Sequence, residues 1–143
     1  MKINFLKMSI IAIATLLTIS CSKDEKTSTS ETTQTSNTTA QTWAKFTVRT
    51  PANVLKPNYI VMMFDQPFTT VSNLPTIIKQ VTTDSSGYAY FDLNAIVTST
   101  TSKKYYFEVF TQTGTTYTLK TIYTRFDNDF SKGSNLETTL LVN

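Results

Sequence analysis

The residue types that do most chemistry in proteins are scarce in this chain. Its 143 residues contain no histidine and a single cysteine, Cys21. Without histidine there is no Ser-His-Asp or Cys-His arrangement for nucleophilic catalysis, and most zinc sites lose their nitrogen ligands. Glycoside chemistry of the usual kind needs two carboxyl groups facing each other across a cleft. The acids after residue 43 are Asp65, Asp84, Asp92, Glu108, Asp127, Asp129 and Glu137, and their spacing brings no two of them together. The expectation is a protein that is not an enzyme and holds no cofactor.

Two groups of residues could still bind something. Asp127, Asp129 and Ser131 place oxygen atoms at alternating positions within Asp127-Asn128-Asp129-Phe130-Ser131-Lys132-Gly133, as the start of a calcium loop does. A loop of the EF-hand type needs Gly at its sixth position and Glu at its twelfth. Lys132 and Thr138 stand there instead. The segment is therefore expected to be a polar loop between the last two strands, with no metal, and calcium is the lesser alternative. The second group is aromatic. Tyr88 and Tyr90 fall on the outer side of one predicted strand, with Tyr106 or Tyr117 beside them. A rigid ring with a hydroxyl suits protein interfaces and sugar stacking.

Cys21 has a different use. Lys2 and Lys7 precede an apolar run from Met8 to Ile19, and Thr18-Ile19-Ser20 ends it, which is the layout of an export signal. The run is shorter than the ~20 residues a membrane-spanning helix needs. Ile-Ser-Cys at its end resembles the cleavage site of a bacterial lipoprotein signal, which implies acylation of Cys21 (palmitate or a related chain). One cysteine cannot close an internal disulfide, so a lipid thioether gives it a purpose. Several acyl chains, at ~0.8 kcal/mol per buried CH₂, make such an anchor stable. Ser22-Lys23-Asp24-Glu25 resembles the export signal of Bacteroidota-type surface lipoproteins. That resemblance implies a lipid-anchored protein of the outer membrane facing the cell exterior.

The expected organisation is a signal peptide over 1–20, a lipidated tether over 21–42 and a folded domain over 43–143. Eleven of the 17 residues from Lys26 to Thr42 are Ser or Thr, and such a segment cannot bury enough surface to fold. A coil of about 20 residues spans roughly 25 Å, enough to hold a domain clear of a membrane. The formal charge of +3 includes Lys2 and Lys7. Cleavage lowers it to +1, and Lys103-Lys104 is the only basic pair of note, so no nucleic-acid partner is expected.

The domain reads as all β. Ala44, Phe46 and Val48 alternate with Lys45, Thr47 and Arg49, the period of a half-buried strand. Trp43, at the tether junction, is expected to plug the end of the fold. Tyr59 to Phe64 is apolar throughout, as in a strand covered on both faces. Ile77–Thr83 and Tyr88–Leu93 flank Asp84-Ser85-Ser86-Gly87, a hairpin signal with Gly87 placed for positive φ. On the second of these, Ala89, Phe91 and Leu93 face inward. Lys104–Thr111 and Thr116–Phe126 flank a second turn at Gln112-Thr113-Gly114, with Tyr105, Phe107 and Val109 on one face. Leu136–Val142 closes the chain, with Leu136, Leu140 and Val142 inward. Seven strands without a helix predict a two-sheet antiparallel sandwich.

Thr82-Thr83-Asp84-Ser85-Ser86-Gly87-Tyr88-Ala89-Tyr90-Phe91-Asp92-Leu93 resembles the Thr-Asp-x-x-Gly-x-x-x-Phe segment of transthyretin-like and carboxypeptidase-regulatory-like domains. The resemblance implies a seven-stranded Ig-like sandwich used for binding or spacing. The expected function is a non-enzymatic surface lipoprotein, a binding subunit of an outer-membrane uptake or secretion assembly. The alternatives are a glycan-binding module that uses the tyrosine face and a small hydrolase inhibitor that presents Phe126 to Leu136.

Overall fold

A computed structural model describes residues 39–67, 70–123 and 125–143. These form eight strands: β1 (Trp43–Arg49), β2 (Ile60–Phe64), β3 (Lys79–Thr82), β4 (Tyr88–Asp92), β5 (Lys103–Thr113), β6 (Thr116–Leu119), β7 (Phe126–Phe130) and β8 (Asn135–Leu141). The one helical element among them is a 3₁₀ turn at Val71–Asn73. The strands make two sheets, one of three in the order β4-β1-β8 and one of five in the order β3-β2-β5-β6, with β7 also on β5. The all-β, two-sheet expectation therefore holds. The ladders are antiparallel except for β1 with β8, which run parallel from Trp43↔Asn135 to Arg49↔Leu141.

Alternation sets the inner layer. Ala44, Phe46 and Val48 of β1 and Ala89, Phe91 and Leu93 at β4 turn inward and are fully buried. They meet Val61 and Met63 of β2 and Tyr105, Phe107 and Val109 of β5. Phe46 is central, with its ring 4.7 Å from Phe107 and edge-on to Phe91 at 5.7 Å. β2 is buried along its whole length, as its unbroken apolar run requires. Its second face, with Ile60, Met62 and Phe64, joins Phe110 in a smaller cluster that Val71, Leu74 and Ile77 cover.

Two expected hairpins have different outcomes. Thr113↔Thr116 closes β5 on β6 as anticipated, with Gly114 at φ 59°. The turn at Asp84–Gly87 forms, with Gly87 at φ 72°, but it joins different sheets. β3 pairs with β2, and β4 pairs with β1. The Gly87 carbonyl accepts the Val48 N–H at 2.8 Å, which captures the chain onto β1 as it leaves the turn. A turn motif specifies a reversal and leaves the partner of each arm to packing.

The long strand expected over Thr116–Phe126 is interrupted. β6 and β7 lie one after the other along the same edge of β5. Between them, Thr121 bridges Val142 and the Ile122 N–H donates to the Leu141 carbonyl at 3.0 Å. That detour ties the five-stranded sheet to the end of β8. It also accounts for the eighth strand, since β7 falls within the loop anticipated after Phe126.

Candidate functional site

Odd-numbered residues of β1 point away from the core, and Trp43, Lys45, Thr47 and Arg49 lie on the outer face of the three-stranded sheet. Register sets Tyr90 opposite Lys45 and Tyr88 opposite Thr47 on β4. On the other side of β1, Glu137 of β8 is opposite Lys45. The Trp43 and Tyr90 rings stack with centroids 6.0 Å apart and planes at 28°. Tyr90 is 51% exposed, and Tyr88 is also exposed. Beyond Tyr88, Gly87 packs against Leu55, which with Val54 prolongs the exposed apolar surface.

Lys45 spans this face. Its Nζ lies 4.7 Å above the Tyr88 ring and 2.7 Å from Glu137 Oε1. The hydrogen bond to Glu137 holds the Lys45 ammonium above its ordinary pKa. Asp92 ends the stripe at the Trp43 end, with its Oδ1 accepting the Asn94 N–H at 3.0 Å and Asn94 Nδ2–H at 2.7 Å. Those two bonds hold the Asp92 carboxyl below its ordinary value. The arrangement is an aromatic strip bordered by fixed donors and acceptors.

The four tyrosines do not form one face. Tyr106 and Tyr117 belong to the five-stranded sheet and pack against the smaller cluster, Tyr117 with its ring 6.2 Å from Phe110. Their places beside Tyr88 and Tyr90 are taken by Trp43 and Lys45. Trp43 is thus part of the strip and does not plug the end of the sandwich. The period-2 pattern that turned Phe46 inward already turned Trp43 outward, and that was the signal for it.

Asp127 and Asp129 lie on β7, with their side chains on the face that Lys104 shares. Lys104 Nζ is 2.7 Å from Asp127 Oδ1 and 4.0 Å from Asp129 Oδ2. The bond to Asp127 raises the Lys104 pKa. Ser131 belongs to the following turn, where its N–H donates to Ser134 Oγ. Among the described residues no three His, Cys, Asp or Glu side chains gather around a common point. The segment Phe126–Leu136, expected as a presented loop, is β7, a tight turn and the start of β8. Cys21 and Ser22-Lys23-Asp24-Glu25 lie outside the described residues, as do the signal peptide and most of the tether.

The burial of one acid escaped the sequence reading. Glu108 on β5 is 1% exposed, beside Met62 of β2. Arg125 Nε approaches its Oε1 at 3.7 Å, and neither carboxylate oxygen has a hydrogen-bond partner among the described residues. Burial pushes its pKa up, opposed by Thr121 and Arg125.

No family model matches the chain, and no curated protein matches it. Among solved structures it is similar to the Bacillus anthracis TIE protein, with 15% identity and a TM-score of 0.43. The match covers 71% of this chain and 17% of that one, so the chain spans about a sixth of that protein's length.

Proposed function

We propose that the chain is a non-enzymatic surface lipoprotein, anchored through Cys21 to the outer membrane. Its domain serves as a binding subunit of an outer-membrane assembly. The Trp43–Tyr90–Tyr88 strip is its recognition surface. The observation that supports this reading most directly is the exposure of Tyr88 and Tyr90 on the sheet face, with Tyr90 stacked on half-buried Trp43. Tyr and Trp are enriched where protein surfaces bury one another. Thr82–Leu93 is the ground for grouping the sandwich with transthyretin-like, Ig-like domains.

Detergent extraction of native membranes, followed by affinity capture of the full chain, tests the reading. A stoichiometric partner is expected, lost with Tyr90→Ala while the unfolding midpoint is kept. Capture of the chain alone opposes it. Mass spectrometry of the captured chain tests the anchor, and a free Cys21 thiol overturns that part. The stacked Trp43–Tyr90 pair beside Lys45 and Asp92 also favours a second reading, a glycan platform. Retention on a glycan array that disappears with Tyr90→Ala supports it over the first.

A further inference from the structure

β8 forms one edge of the three-stranded sheet. At the ends of its ladder with β1, the Trp43 N–H donates to the Ser134 carbonyl and the Val142 N–H donates to the Arg49 carbonyl. Alternate residues of a strand direct their backbone groups to the same neighbour. These two bonds therefore place the N–H and C=O of Leu136, Thr138 and Leu140 toward β1. Asn135, Glu137 and Thr139 direct theirs to the opposite side. At Leu141 that side is occupied, because its carbonyl accepts the Ile122 N–H. That contact adjoins the isolated bridge between Thr121 and Val142, and Tyr123 just after it has a φ of 65°. Among the described residues, no backbone hydrogen bond reaches Asn135, Glu137 or Thr139 on the open side. Beside that bridge there is a concavity of about 180 Å³, whose lining includes Ile122, Tyr123, Phe126, Thr139, Leu140 and Leu141.

We propose that this edge accepts an extended segment of a partner protein as an added strand. Its backbone pairs with Asn135, Glu137 and Thr139. A basic side chain lies opposite Glu137, and an apolar one two residues along enters the concavity. Glu137 is 57% exposed and uses only Oε1 for Lys45, which leaves Oε2 for a cation across the strands. The same charge argues against a second copy of this chain. In a two-fold antiparallel pair of these edges Glu137 is the middle of the three free residues and would face itself, and like charges directly opposite repel. Main-chain bonds for affinity and pockets for alternate side chains are the general means of strand addition. The inference does not rest on the lipid anchor; it shares only the Lys45–Glu137 pair with the aromatic strip, whose rings lie on β1 and β4.

The probe is a capped synthetic heptapeptide of alternating threonine and valine, with one lysine and a phenylalanine two residues after it, added to the full chain. Saturation is expected to slow exchange of the Asn135, Glu137 and Thr139 amides by at least about tenfold. Methylating the probe nitrogens that face the edge should abolish binding, and methylating the alternate ones should not. Changing the probe lysine to glutamate should weaken binding about fivefold, with Glu137→Lys restoring it. Absence of binding at millimolar probe, or binding without protection of those amides, overturns the proposal. Protection that grows with protein concentration alone assigns the edge to a second copy and overturns the stated occupant.

Discussion

The two edges of the three-stranded sheet are finished in opposite ways. At β4, the Asp84 N–H donates to the Tyr88 carbonyl and Asp84 Oδ1 accepts the Tyr88 N–H, both at 2.9 Å. Lys79 Nζ donates to the Asp92 carbonyl at 2.7 Å. The strand is thus capped near both ends by charged side chains, a common defence of exposed edges against unwanted pairing. Among the described residues, β8 has no such guard along Asn135–Thr139. A sheet that shields one edge and leaves the other bare has only one side on which a further strand can grow.

The largest expected effect removes the support that both edges share. Phe46→Ala opens a hole in the main core and should cost about 3–5 kcal/mol in denaturant unfolding. Amides of β4 and β8 should lose protection together, and an effect on one alone would show that the edges are independently supported. Gly87→Ala acts on the guarded edge. The residue has φ of 72°, and a Cβ there would lie 3.0 Å from the Val48 carbonyl oxygen. A loss of about 2 kcal/mol is expected, with faster exchange at Val48 and Tyr88 and none at Leu140.

Asp84→Ala should cost about 1 kcal/mol, since Oδ1 accepts the N–H groups of both Ser86 and Tyr88. It also unguards β4, and its Tyr88 amide should then exchange as Glu137 does. Glu108→Gln is the control, because it lies on the other sheet and should change neither edge. Burial raises the folded Glu108 pKa above the ordinary 4.5, so the folded state takes up a proton before the unfolded chain does. Stability should therefore increase as pH falls through the raised value and level off below the ordinary one. The Gln variant should lack that slope and be about 1 kcal/mol more stable at neutral pH. The smallest effect belongs to Lys45→Met. The pair with Glu137 is exposed, so the unfolding midpoint should not move and only its sensitivity to salt should fall.

Much of the layering could be read in advance, because alternation in β1, β4 and β5 specifies which side chains turn inward. The unbroken apolar run of β2 likewise announced two covered faces. Partner choice was not readable. Asp84–Gly87 encodes a reversal, and the structure shows that β4 belongs with β1, where Phe91 packs against Phe46. β7 was hidden because Asp127, Asn128 and Asp129 have poor strand propensity, while Phe126 and Phe130 pack inward from the same segment. The strip was half visible. Tyr88 and Tyr90 came from local alternation, whereas Glu137 joins through a parallel pairing 92 positions away in sequence.

Thr42 is fully buried just ahead of β1. Its N–H donates to Asn94 Oδ1, its carbonyl accepts the Leu93 N–H and its hydroxyl accepts the Gly133 N–H. Tension transmitted from upstream arrives at this residue first. It is divided between the end of β4 and the turn before β8 before any of it reaches the ladder. A pull on the leading end would therefore load these three bonds ahead of the β1 ladder.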